Sequence, residues 1–367
     1  MGHHNGPTMG PFYRDRDGYE TMKHVIFGGD GFLGRHLARD LLARGDEVVI
    51  CDIVKSNLDI YDSAQFLELD ITDASAFSQL DLSPDDIVHH YAARLLVPIV
   101  KKKVRHDYFW SVNFNGTRNV LEYCRSKGVK KIVYFTTDMV YGHTQTVPKQ
   151  EDHPRVPIGP YGAAKAASEE LCEEFRQHGM NISIFRPRLI IGPGRLGILE
   201  SLFKLIDANL PVPVIGNGRN NYQFISVFDC VSAVLAAVEK GVPNSTYNLG
   251  TANPPVVRTL LRDLIKEAGS KSFVLPTPAW AVKRTLAMLD AINRPLMDPE
   301  QYLIADETCI LDVSKAKREL GWEPTFRDED MLIEAYRDYR TAKRSGALPA
   351  EGRTTVTPSY QVDARKA

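Results

Sequence analysis

The chain has 367 residues, 43% of them hydrophobic, enough for a sizeable core in one large α/β unit or two modest ones. Its 45 Lys and Arg against 46 Asp and Glu leave no net field toward nucleic acid or an acidic membrane, so a small-molecule partner is expected. Five scattered cysteines without a CxxC pair, no apolar run long enough to span a bilayer, and no apolar signal segment predict a reduced, cytoplasmic protein.

Residues 1–21 are polar and glycine-rich without a period, and are expected to be a disordered leader; 346–367 read as a second disordered end. The stretch "KHVIFGGDGFLGRHLARDLLARGDEVVICDI" then reads as strand, glycine turn, helix, strand, with leucines at helical spacing between two apolar runs. Gly28, Gly31 and Gly34 form a GxxGxxG turn. Residues without a Cβ let backbone N–H groups approach a pyrophosphate at the helix N-terminus, where the dipole favours negative charge. Asp52, at the end of the second strand, is placed to accept hydrogen bonds from both hydroxyls of an adenosine ribose; its charge would repel a 2′-phosphate, which favours NAD over NADP. Asp70 and Ile71 follow a third strand and are expected beside the adenine.

Two further β-rich runs, "DIVHHYAA" and "KKIVYFTTDMVYG", flank a helical "FWSVNFNGTRNVLEYCRSKG". Strands alternating with helices predict a doubly wound parallel α/β sheet with its ligand at the strand C-termini. His89 and His90 are adjacent on a strand, point to opposite faces, and make no metal site. Thr137 falls at a strand end. In "PYGAAKAASEELCEEF", Tyr161 and Lys165 are four apart and share one helix face. An ammonium beside a phenol lowers its pKa, so Tyr161 is expected to take the proton of an alcohol while Thr137 holds the hydroxyl in line.

Together, "GGDGFLG", "CDI", "HHYAA", "VNFNGTRNVLEYC", "TTDMVYG", "YGAAK", "FRPRLIIGPG" and "LDVSKAKRELGWEP" resemble the extended short-chain dehydrogenase/reductase family, the NAD-dependent nucleotide-sugar epimerases and dehydratases, over roughly residues 23–340. The resemblance implies catalytic Thr137, Tyr161 and Lys165, with Lys165 also on the nicotinamide ribose. It implies cofactor contacts from Phe32, Leu33, Ala92, Asn113 and Pro187 besides the glycines and acids above. It also implies a homodimer formed through helices around 103–126 and 162–178. The 4,6-dehydratases read Thr-Asp-Glu where this chain has Thr137, Asp138 and Met139; a thioether has no proton chemistry at neutral pH, which demotes dehydration and leaves a 4-epimerase as the leading expectation. Asp138 is then either a ligand of a substrate hydroxyl or a strand-end cap.

The expected organisation is a Rossmann domain, 22–187 plus 222–250, and a smaller α/β substrate-binding lobe, 188–221 plus 251–345. Arg188, Arg195 and Arg219 are candidate partners of a substrate diphosphate. The family's asparagine after the Arg-Pro strand is Leu189 here, and Tyr222 and Gln223 stand where an arginine often precedes the "V-x-D" element. That departure gives weight to a second resemblance, to 3β-hydroxysteroid dehydrogenases acting on apolar alcohols. Residues 277–292 are expected to form an amphipathic helix whose apolar face packs on the small lobe.

Overall fold

The structure, a computed structural model, describes residues 21–193, 195–197 and 199–346. Apart from Thr21 and Gly346, the leader and tail expected at the two ends lie outside the described residues. Seven parallel strands form the central sheet: β1 (Lys23–Phe27), β2 (Glu47–Asp52), β3 (Gln65–Glu68), β4 (Ile87–His90), β5 (Lys131–Phe135), β6 (Asn181–Pro187) and a last strand, Thr246–Leu249. The spatial order is β3-β2-β1-β4-β5-β6 and then the last strand, so the direction of winding reverses between β1 and β4. Val25 stands in register with Val49 on one side and Val88 on the other. Such strands are apolar on both faces because helices cover both.

On one face lie α1 (Phe32–Arg44) and a later helix, Val227–Glu239; on the other lie α2 (Lys102–Trp110), α3 (Thr117–Ser126) and α4 (Pro160–Gln177). The two layers of core are distinct: Leu37, Leu41, Val231 and Val234 fill the first, and Val120, Leu121, Cys172 and Phe175 the second. α2 and α3 are joined through one π-helical stretch, Ser111–Gly116, whose wider turn re-aims Asn113.

After β6 the chain leaves the sheet through β7 (Leu189–Ile191), α5 (Leu199–Asp207), β8 (Val212–Ile215) and β9 (Phe224–Ser226), then enters α6 (Val227–Glu239) and β10 (Thr246–Leu249), the two elements placed above. α7 (Val257–Glu267), β11 (Val274–Thr277), α8 (Ala279–Ala291), α9 (Pro299–Tyr302), α10 (Ser314–Leu320) and α11 (Asp328–Arg344) complete it. β7 pairs with β9 and β8 with β11. A third core, with Phe203, Leu264, Leu332 and Tyr339, binds α5, α7 and α11 around these pairs. Buried Asp328 starts α11 and accepts hydrogen bonds from the Phe224 N–H (2.9 Å) and the Thr251 hydroxyl (2.7 Å), tying the last helix back to β9.

α8 corrects one expectation. Val282, Leu286 and Leu289 are half-buried against the protein as expected, but Trp280, Met288 and Ile292 are exposed, so only part of its apolar surface is packed.

Candidate active site

A cavity of about 1080 Å³ opens along the C-terminal ends of the sheet strands, at the point where winding reverses. Its cofactor half begins at the glycine turn. Gly28 adopts φ 78°, and a Cβ there would stand 2.5 Å from the Ala92 backbone nitrogen; a Cβ on Gly34 would stand 2.5 Å from the Gly28 carbonyl oxygen. The turn is therefore built of residues that bring β1, the start of α1 and the loop after β4 into backbone contact. Asp52 lines the cavity at the end of β2, its carboxylate accepting the N–H groups of Asp30 (3.0 Å) and Ile53 (2.8 Å). Burial pushes its pKa up, and those backbone bonds pull the other way. Phe32, Leu33, Asp70, Ile71, Ala92 and Pro187 share this lining.

Asp30, inside the glycine turn, takes the N–H (3.1 Å) and hydroxyl (2.6 Å) of Ser56 and the Tyr61 hydroxyl (2.5 Å), fastening the loop after β2 over the turn. A cradle of bare backbone at a helix N-terminus with a carboxylate at the end of β2 fits a dinucleotide with a free ribose diol.

A second wall of the cavity is built by residues from the end of β5 and from α4. Thr137 lies two residues past β5 and caps the 3₁₀ turn Asp138–Tyr141, its Oγ1 accepting the Met139 N–H at 3.2 Å. Tyr161 is the second residue of α4, 6% exposed, its ring edge-on to Phe109 at 5.4 Å between centroids. Lys165 lies one turn on, its Nζ donating to the Phe135 carbonyl at 2.9 Å. Burial lowers the Lys165 pKa to about 8, against the pull of Glu169. Burial raises that of Tyr161, while the Thr137 hydroxyl and the Arg195 guanidinium act in the opposite direction. The lowering expected from Lys165 is thus replaced, in this arrangement, by Thr137 and Arg195; the ammonium is turned toward β5, over the Tyr134 ring at 4.9 Å.

Asp138 is not free in the wall: its carboxylate is ion-paired with Arg188, and both side chains are buried. Arg188 stacks on Tyr222 at 4.4 Å, and its Nε and Nη2 have no hydrogen-bond partner. Burial opposes its charge, yet Asp138 holds its pKa above the ordinary value. Met139 packs beside Tyr161, Phe109 and Leu96.

Two expected contacts fall elsewhere. Asn113 is fully buried away from the lining, its amide bonded on both sides to the Arg94 backbone (2.7 and 3.0 Å), so it shapes the loop after β4 instead of touching the cavity. Arg219 is exposed on a turn outside the lining. Arg195 does line the cavity. Of the two histidines, His89 bonds His24 (2.9 Å) and Tyr91 (3.2 Å) on one side of β4, and His90 bonds Thr117 (2.9 Å) on the other.

One group escaped the sequence reading. Glu300, on α9, accepts the backbone N–H groups of Tyr161 (2.7 Å) and Gly162 (2.8 Å), so it caps in trans the helix that carries the phenol. A Cβ on Gly162 would stand 2.8 Å from a Glu300 carboxylate oxygen, which is why this position is bare. Glu300 is itself held by Asp298, which accepts its N–H at 3.0 Å and lies 3.3 Å from Arg105; Arg105 in turn forks onto Asp290. Burial lifts the Glu300 pKa to about 7. The Asp298-Pro299 helix start was readable, but nothing local says which helix its glutamate would reach.

A family model described as the NAD dependent epimerase/dehydratase family matches residues 24–250, more than half of the chain. The chain belongs to this family. It is an NAD-dependent enzyme, and one cavity is lined by the glycine turn, Asp52, Thr137 and Tyr161 together. An uncharacterized protein, y4nG, of Sinorhizobium fredii is 34% identical over 88% of this chain and 79% of its own length. The dTDP-D-glucose 4,6-dehydratase of Mus musculus is 29% identical over 86% of this chain and 88% of its own. Among solved structures, the UDP-glucose 4-epimerase of Thermotoga maritima, with UDP-glucose, superposes with a TM-score of 0.70 at 27% identity, covering 88% of this chain and all of that one. This epimerase/dehydratase family member therefore resembles both halves of the family's name.

Proposed function

We propose that this enzyme is a nucleotide-sugar 4-epimerase working through a transient 4-keto sugar. The observation that carries the reading is the wall itself: beside Thr137, Tyr161 and Lys165 stands Met139, and the neighbouring carboxylate of Asp138 is engaged by Arg188. Elimination of water needs a second acid and a base at the sugar; epimerisation needs one phenol and one face-to-face rotation. Bound NAD would supply acceptance and return of the hydride at the carbinol carbon. Tyr161 takes the hydroxyl proton as that hydride departs and gives it back after the keto sugar has turned over. Thr137 holds the hydroxyl toward the phenol. In this reading Lys165, which lines the cavity, takes the nicotinamide ribose, and Arg195 is a cavity-lining cation for a diphosphate. The same reading makes the enzyme a cytoplasmic homodimer through α2, α3 and α4.

The test is incubation of the pure protein, without added cofactor, with a panel of UDP-, dTDP-, GDP- and CDP-sugars. An isomer of unchanged mass supports the proposal, and a product lighter by one water refutes it in favour of a dehydratase. Tyr161→Phe should keep bound NAD and lose turnover by orders of magnitude.

A second reading has its own observation. The substrate half is lined by Leu196, Leu199, Leu202, Val212, Phe224 and Leu261, a surface that suits an apolar alcohol. Silence toward every nucleotide sugar, with NAD reduced by an apolar secondary alcohol, would establish this dehydrogenase.

A further inference from the structure

α8 carries an outward ridge that nothing in the described residues covers. Trp280, Met288 and Ile292 recur at helical spacing and are 74%, 68% and 65% exposed; Leu296, just past the helix, is 67% exposed. Single exposed apolar residues are ordinary, but a continuous ridge of this kind is the mark of an interaction surface. The opposite side of the helix, with Val282, Leu286 and Leu289, is already half-buried against the protein.

The exposed charges that α8 and its C-terminal end contribute on this side are cations, while Lys283 on the flank is paired with Asp306. Arg284 lies on the ridge and Arg294 beside it, both exposed. The single acid of α8, Asp290, is buried and forked by Arg105 of α2, which brings the start of α2 against the end of α8. Lys101 and Lys102 precede Arg105 by about one turn, so they fall on this side of α2, and both are exposed. Asp107, two positions beyond Arg105, falls toward the other side.

Trp and aliphatic tips projecting between cations, on a helix whose other side is already seated on the protein, are what a surface needs to lie in the headgroup region of an anionic bilayer. A second copy fits the patch poorly, since a two-fold contact would set these cations against each other with no exposed acid of α8 between them. Leu296, just past α8, also lines the cavity, as does Ile99, 39% exposed, in the loop before α2. Exposed apolar side chains of the cavity wall thus lie on the segments that follow α8 and precede α2.

We propose that α8 and the start of α2 form a docking face for an anionic lipid surface, with the mouth of the cavity set against the bilayer. This peripheral attachment does not depend on which alcohol the enzyme turns over. The balance of charge over the whole chain does not reveal it, because only a few cations, Lys101, Lys102, Arg284 and Arg294, are involved.

The test is flotation of the full-length, NAD-loaded protein with vesicles of phosphatidylcholine alone and of phosphatidylcholine mixed with phosphatidylglycerol. The expected result is binding to the mixed vesicles only, weakened by salt. Trp280→Ser/Met288→Ser/Ile292→Ser should abolish it, and Lys101→Gln/Lys102→Gln/Arg284→Gln should lower the partition coefficient by about a hundredfold. All six side chains point outward, so both variants should keep the wild-type Tm and NAD content. Failure to bind mixed vesicles, or binding that the ridge variant retains, overturns the proposal. A wild-type oligomer that the ridge variant dissociates, without vesicle binding, assigns the face to a second copy and overturns it as well.

Discussion

Replacing Asp138 with Asn should destabilise the enzyme by about 3–5 kcal/mol, a cost set by what it leaves behind. Arg188 is 2% exposed, its Nη1 is held by Asp138, and Nε and Nη2 have no partner, so the substitution leaves a guanidinium buried with no counter-charge. Arg188→Met is expected to cost a similar amount, because the stranded Asp138 carboxylate keeps only the Thr137 hydroxyl, at 3.5 Å, from this network. The double variant removes both charges at once and should lie within about 2 kcal/mol of the wild type. Urea unfolding of the four NAD-saturated proteins, with equal slopes, measures the cycle. A coupling energy below about 0.5 kcal/mol would refute the pair as a structural unit. Turnover retained in the double variant would show in addition that Asp138 donates no proton in the reaction.

Glu300→Gln keeps the size of the cap but opposes an amide N–H to a backbone N–H, so turnover should fall while NAD content holds. The wild type should show an acid limb in kcat near pH 7, where the Glu300 carboxyl protonates, and the variant should lack it. The sign for stability is opposite. A carboxyl raised from 4.5 to about 7 in the folded state contributes most below pH 4.5, and that contribution is lost as pH rises through 7. At 1.36 kcal/mol per pH unit this is about 3 kcal/mol, which the variant should not lose in a pH series of urea midpoints. Gly162→Ala places a Cβ 2.7 Å from the Met139 carbonyl and should cost about 1–3 kcal/mol together with turnover, read by thermal melting and the same assay. Gly28→Ala strains a positive φ and strikes Ala92, and the protein should purify without NAD by absorbance and extraction.

The parts of the site that were legible are those whose meaning is local. The glycine turn, Asp52 at the strand end and Tyr161 with Lys165 on one helix face follow from spacings of a few residues. The parallel sheet follows from strands apolar on both faces. The parts that stayed hidden depend on partners distant in the chain. Asp138 and Arg188 both lie three residues beyond the paired Phe135 and Phe185, on adjacent strands, so sheet register joins them; only the register turns a candidate substrate ligand into a buried ion pair. Asn113 looked like a cofactor contact because its stretch resembles one, but the π-helical turn delivers its amide to Arg94. In α8, hydrophobic residues at helical spacing suggested one packed face, yet periodicity does not say that Val282, Leu286 and Leu289 would meet the protein while Trp280, Met288 and Ile292 face outward.

The trans cap on α4 also governs when the enzyme can become active during its own synthesis. A chain emerging from the ribosome has all seven strands of its sheet once Leu249 is out, and with them the dinucleotide cradle. The first turn of the tyrosine helix still lacks acceptors for two N–H groups until Glu300 follows, 51 residues after Leu249. Cofactor loading can therefore precede redox competence, and a prematurely terminated chain would hold the dinucleotide without an ordered phenol to use it.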